Sequence, residues 1–292
     1  MSNNMQGVLW AIIATALFTT VAAMGKIAVT EYNVLQILFI RQVIVFCSAV
    51  PSLVKTFPGS LKTKHPLAHS FRLVGAFVAL STSIWAVAVL PLTTAITLGF
   101  AQVFFVAILA RFTLDEDVGI HRIAAVVVGF IGVVVVMRPG LDGLINAYAL
   151  IPVAGALGAA VAQTSVRKLS QTESTATLLA YQSIFVGLLA GIPMFWFWQT
   201  PDLADFTLLA GIGIVATFGQ WIGIKALRLG EASIVSNLQY SKLVFAALIG
   251  YFWFSEIPDS YTLLGAAIII ASSMYIFHRE VLNLTGKRTP KS

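Results

Sequence analysis

Residues 7–24 read GVLWAIIATALFTTVAAM, eighteen residues without one charge. At 1.5 Å per residue this is about 27 Å of helix, close to the thickness of a bilayer's hydrocarbon core. The six residues before it hold no Lys or Arg, so a cleavable signal is not expected, and the stretch reads as a retained first span. Runs of the same character recur at 34–54, 71–90, 94–112, 120–137, 147–166, 175–198, 206–226, 232–254 and 261–277. Pro, Gly and charges cluster between them. Across 292 residues the chain is 58% hydrophobic and only 10% charged, where soluble proteins hold about 25% charged residues. So few charges cannot cover a soluble domain of this size, which excludes a soluble enzyme, a nucleic-acid binder and a disordered chain. The expected fold is an all-α polytopic membrane protein of ten transmembrane helices.

The net charge of +6 has a topological reading. With the N-terminus in the cytoplasm, fourteen of the 18 basic residues fall on the cytoplasmic side, from Lys55, Lys62 and Lys64 to Lys287, Arg288 and Lys291. Lys26 and Arg138 fall outside, and Arg41 and Lys242 lie within spans. Both termini are therefore expected in the cytoplasm of a bacterial-type inner membrane. Trp10, Trp196, Trp198 and Trp253 sit at span ends, as interfacial aromatics do. The single cysteine, Cys47, lies in an apolar run and has no partner for an intramolecular disulfide.

Ten spans divide into five and five, and the halves can be overlaid. Leu38, Val45 and Ala49 fall on Leu179, Val186 and Ala190. Leu90, Leu92 and Ala95 fall on Leu227, Leu229 and Ala232. Acidic turns follow the fourth and ninth spans, at Asp115-Glu116-Asp117 and Ser255-Glu256-Ile257-Pro258. Because five is odd, the second half enters the bilayer from the opposite side. The expectation is two inverted five-helix repeats, residues 7–145 and 146–279, and a cytoplasmic tail, 280–292. Secondary transporters are often built this way, with substrate held near the midplane between the halves.

Several of these pieces carry a resemblance. Phe39-Ile40-Arg41 in the second span, Tyr181-Gln182 in the seventh, Leu90-Pro91-Leu92-Thr93-Thr94-Ala95, Glu116 and Glu256, and Gly129–Gly132 running to Met137-Arg138-Pro139 stand in one pattern. With Gln239–Leu248 and Phe254–Pro258 it resembles the drug/metabolite transporter superfamily, specifically its EamA-type ten-helix members. The stretch Gln239–Leu248 ending in Phe254–Pro258 is similar to a branch that takes up S-adenosylmethionine or riboflavin. The resemblance implies a basket of helices around a central cavity, with the fifth and tenth peripheral. The fourth and ninth spans lack the mid-span proline common in the family.

Ionisable side chains inside a span are costly, so each is read first as functional. Lys242 lies midway along the ninth span, with Gln239 three residues back. Arg41 lies seven residues into the second. Lys26 continues a one-face stripe of Thr15, Phe18, Thr19 and Ala22 to the outer end of the first, as an interfacial or gating cation. Polar lining is expected from Asn237, Tyr240 and Ser241 on the ninth span, Gln102 on the fourth, Gln163 on the sixth, Trp85 on the third and Trp221 beside Gln220 on the eighth. The Ser and Thr members equally suit hydrogen bonds between packed helices, and the glycines suit close helix contact. No Asp, Glu or His lies well inside a span. By the resemblance, drug-expelling relatives depend on a membrane Glu, and the cationic interior here suits a carboxylate, phosphate or zwitterion instead.

The reading is a secondary transporter moving a small polar organic metabolite, such as an amino acid or an S-adenosylmethionine- or riboflavin-like compound, by alternating access. The alternatives are a cation or multidrug exporter, a channel, or a membrane-embedded enzyme. No metal spacing, phosphate loop or nucleophile–base pair is present to suggest an enzyme, and no cofactor is expected. The partners are the bilayer and the metabolite, with no nucleic acid, and a monomer is a plausible state.

Overall fold

Prolines and a serine set where several helices begin and stop. The computed structural model describes residues 3–56, 63, 65–113, 120–137, 147–169, 173–229 and 241–286. Helix α1 (Asn3–Ala28) turns into α2 (Val34–Thr56) with the Tyr32 amide returning to the Ala28 carbonyl at 2.9 Å. Helix α3 (Pro66–Val89) starts on a proline, whose missing N–H is no loss at the first helical position. It stops because Pro91 forces Leu90 into extended backbone, φ −128° and ψ 155°. Pro91 leads α4 (Leu92–Gly99), followed by α5 (Ala101–Thr113) and α6 (Ile120–Met137). A short 3-10 turn, Ala147–Ala149, leads into α7 (Leu150–Leu169). Helix α8 (Thr175–Met194) is capped by the Ser174 hydroxyl, which accepts from the Thr177 amide at 3.1 Å. Then come α9 (Leu203–Leu229), α10 (Ser241–Phe254) and α11 (Ser260–Gly286).

Among the described residues there is no strand. Six helices, α1, α2, α3, α7, α8 and α9, are long and apolar enough to cross a bilayer, and four shorter apolar stretches accompany them. The protein crosses the membrane more than once.

Some boundaries differ from the sequence expectation. The fourth span, expected at 94–112, is two helices broken at Gly99-Phe100, where the Phe100 amide turns back to the Thr97 carbonyl at 3.1 Å. The seventh was expected to reach residue 198, but α8 stops at Met194, and Phe195, Trp196 and Phe197 follow in tight turns bonded to residues three back. The third was expected to begin at residue 71. It begins five residues earlier, at the proline, and so draws His69 into the helix beside Arg72. The last helix runs on to Gly286, beyond the expected end at 277. Of the ninth span, residues 241–254 are described.

Packing is set by where small residues let backbones touch. Helix α3 lies along α7, α1 along α9, α2 along α8 and α6 along α11. A Cβ on Gly75 of α3 would sit 2.6 Å from the Gly158 carbonyl oxygen of α7, and one on Gly158 would sit 2.8 Å from that of Gly75. Gly132 and Gly265 join α6 to α11 in the same way. This close approach is how helices associate where lipid offers no hydrophobic drive. Most of the glycines expected at packing positions are there, since Gly129, Gly132, Gly155, Gly158, Gly191, Gly211 and Gly213 each leave no room for a methyl group. Two large buried apolar clusters result, with a small third at Ala11 and Ala226. One holds Leu92, Leu98, Phe104 and Ile269, and the other Ile37, Leu38, Val186, Leu209 and Ile212.

Candidate functional site

The polar residues expected at the site fall into separate groups. On α1, the Thr15 hydroxyl lies 2.9 Å from the Ser241 hydroxyl of α10, and the buried Thr19 hydroxyl donates to the Thr15 carbonyl at 2.9 Å. One residue past Ser241, the Lys242 ammonium stands 5.6 Å from the ring centroid of Phe18. Lys242 thus lies level with the middle of α1, against an aromatic face, and no carboxylate pairs with it among the described residues. The Gln220 side-chain oxygen of α9 is buried without a hydrogen-bond partner. The neighbouring Gly219 packs on Phe18.

Elsewhere, Gln102 of α5 donates its side-chain amide to the Gln163 side-chain oxygen of α7, so these two expected residues meet each other. Arg41 is buried in α2 with its Nε unpartnered, and the next residue, Gln42, leaves both side-chain polar atoms unpartnered. Trp85 and Trp221 are both about half exposed. Asn237, Gln239 and Tyr240 lie outside the described residues.

Lys26 stands at the end of α1 in a junction the sequence did not announce. Its ammonium pairs with Glu256, beyond the end of α10, and donates to the Leu90 carbonyl at 3.1 Å. The Phe254 ring centroid is 5.3 Å away. The other Glu256 oxygen accepts from the Leu92 amide at 2.8 Å. That amide is the first of α4 and has no partner within its own helix. A carboxylate at this helix N-terminus also meets the positive end of the helix dipole.

At the same end, the Gln36 side chain clamps the Gln199 backbone, donating to its carbonyl at 2.6 Å and accepting from its amide at 3.1 Å. The Tyr32 phenol donates to Asp205 at 2.6 Å. That bond, together with burial and the nearby carboxylates of Asp205, Asp202 and Glu31, pushes the phenol up to about 12. An open cleft of about 520 Å³ lies beside them, lined by Glu31, Tyr32, Trp196, Trp198 and their neighbours. None of the residues chosen from the sequence lines it.

The opposite end holds a second junction that sequence reasoning missed. His69 of α3 pairs with Glu173, which also accepts from the Thr63 hydroxyl. The side chains of this pair are 3% and 6% exposed. The Tyr181 ring lies 4.7 Å from that of His69, and Arg72 donates to the Leu178 carbonyl at 2.9 Å and to the Gln182 side chain at 3.2 Å. The signal available was the pair Tyr181-Gln182, already noted as part of a pattern. Its partners were hidden because His69 read as a loop residue and Arg72 as a topology charge at the start of a span.

The model of the EamA-like transporter family matches twice, over residues 5–138 and 146–278. The chain is 28% identical to the S-adenosylmethionine uptake transporter of Rickettsia prowazekii, covering 98% of this chain and 97% of that one. It is 30% identical to the riboflavin transporter of Vibrio cholerae, with 95% of each covered. It is 27% identical to the pseudopaline exporter of Pseudomonas aeruginosa, with 91% of this chain and 94% of that one covered. A crystal structure of a protein 15% identical superposes with a TM-score of 0.64 over 94% of this chain and 96% of its own, a likeness of fold. The chain belongs to the EamA-like transporter family.

Proposed function

We propose that this EamA-family metabolite transporter carries a compound with an aromatic ring system and an acceptor-rich or anionic group, the class to which S-adenosylmethionine and riboflavin belong, through a central cavity opened alternately at either end. Two inverted halves, 7–145 and 146–279, frame that cavity in ten spans, with both termini cytoplasmic. The double match of the family model and the pairing of α3 with α7 and α1 with α9 support this arrangement. Basic residues concentrated on one side support the orientation.

The observation that carries the reading is Lys242. Its ammonium sits against Phe18 at mid-bundle, beside the bonded hydroxyls of Thr15 and Ser241. A cation at that depth, with no carboxylate beside it among the described residues, recruits a carboxylate, phosphate or carbonyl-rich group. The relatives named for uptake and the relative named for export together support a carrier whose direction follows the gradient.

Counterflow in proteoliposomes tests this, with S-adenosylmethionine, riboflavin, amino acids, sugar phosphates and quaternary ammonium compounds, each with and without a pH gradient. Exchange of a metabolite independent of the pH gradient is expected, with K242A cutting it about tenfold or more, as losing one charge-assisted contact does. Unchanged exchange in K242A, or a preference for the quaternary ammonium compounds, which offer Lys242 no anionic group, would sink the reading.

A further inference from the structure

We propose that Glu256 is the latch of the gate at the Lys26 end, a positioning residue that closes the cavity by holding α1 and α4 together. The inference rests on the transport reading above and goes beyond it by assigning a gate to named residues.

One carboxylate here serves three parts of the chain. One oxygen takes the Lys26 ammonium at the end of α1, and the other takes the Leu92 amide at the start of α4 at 2.8 Å. Lys26 itself reaches the Leu90 carbonyl at 3.1 Å, so the α3–α4 corner is held from both sides of the ion pair. The backbone past α10 is shaped for the task. Ser255 takes a left-handed φ of 52°, uncommon for a residue with a side chain, and the Glu256 amide folds back to the Gly250 carbonyl at 2.9 Å. A Cβ on Gly250 would lie 3.4 Å from the Glu256 Oε2 and 3.7 Å from the Thr93 hydroxyl, so the carboxylate packs directly beside α10 and α4.

Position and exposure mark the junction as a gate. Lys26 is eight residues past Phe18 on α1, so the latch stands about 12 Å along the helix from Lys242. A substrate held at Lys242 cannot leave by this end while α1, α4 and the α10–α11 turn are joined. The side chains are 19% and 18% exposed, so water reaches the pair and can replace each partner when it parts. The His69–Glu173 pair at the other end, at 3% and 6%, is shut away from water. Helix α4 can also follow such a movement, because the helix line breaks at Gly99-Phe100.

The test uses the full-length protein in proteoliposomes, with Cys47→Ser as background. Lys26→Cys with Glu256→Cys is bridged by a bifunctional methanethiosulfonate reagent, which a thiol reductant removes. Bridging is expected to bring counterflow to background and the reductant to restore it. A bridged protein that exchanges as fast as the unbridged variant would overturn the latch, because a static contact tolerates being tied. A second arm covers the case in which the cysteine pair is inactive. E256Q keeps an acceptor for the Leu92 amide and loses only the ion pair, so exchange should shift about three- to fivefold, the scale of a partly exposed pair. K26Q should shift it equally, and the double variant no further. Additive effects would equally overturn the proposal. A wild-type protein that exchanges nothing in the panel overturns the transport reading instead, and the same cycle read in thermal unfolding then decides whether the two residues are coupled.

Discussion

A buried guanidinium stays charged, so Arg72 obliges its surroundings to supply acceptors. The Leu178 carbonyl and the Gln182 side chain do so, while its Nε stays unpartnered. In the sequence, Arg72 counted among the cytoplasmic charges that set orientation, and the histidines were placed outside the spans. Starting α3 at Pro66 brought His69 into the helix, where it and Arg72 are both buried. The charge pattern could not show this, because a basic residue near a span end serves topology and a buried junction equally well. Lys26 was singled out by its stripe as an interfacial or gating cation, but Glu256 as its partner was not. Periodicity reports one helix's faces, and 230 residues separate this pair. Tyr32 yields a prediction at this scale. Its phenol is held up to about 12, so its bond to Asp205 is intact below the ordinary tyrosine value near 10 and is lost as pH rises through about 12. Tyrosinate absorbance of wild type minus that of Tyr32→Phe should show one phenol ionising only near the top of that window. A difference titrating near 10 would mean that the bond is absent.

At the scale of the helix, spans were legible because apolar runs of the right length are hard to mistake. The break in the fourth was not, because the cue expected for a bend, a mid-span proline, is missing. A glycine stands there instead. Gly99 has no atom within 4 Å of where a Cβ would lie, so close packing does not require it. Its contribution is a backbone that bends easily. Gly99→Ala is therefore expected to raise thermal stability in detergent by up to about 1 kcal/mol while slowing exchange. Gly75→Ala should do the opposite, costing about 1–3 kcal/mol, because the new methyl would meet the Gly158 carbonyl. Equal effects of the two substitutions would show that Gly99 is ordinary packing.

Over the whole molecule, the expectation of several bilayer crossings holds, and the sequence also pointed to the family. What it could not supply was which helix lies on which, since identities at Leu and Ala are common to any apolar segment. The structure pairs α3 with α7, α1 with α9, α2 with α8 and α6 with α11. In every one of these pairs, one member precedes residue 138 and the other follows residue 146. Among the described residues, neither half of the chain therefore has a helix interface of its own to match those it forms with the other. The His69–Glu173 contact crosses the same divide. It follows that the peptide link between the halves carries little of the cohesion. Fragments 1–140 and 141–292 made in the same cell should find each other, co-purify and exchange substrate, whereas each made alone should be degraded. The molecule would then behave as a dimer of unlike subunits that happen to be encoded in one chain.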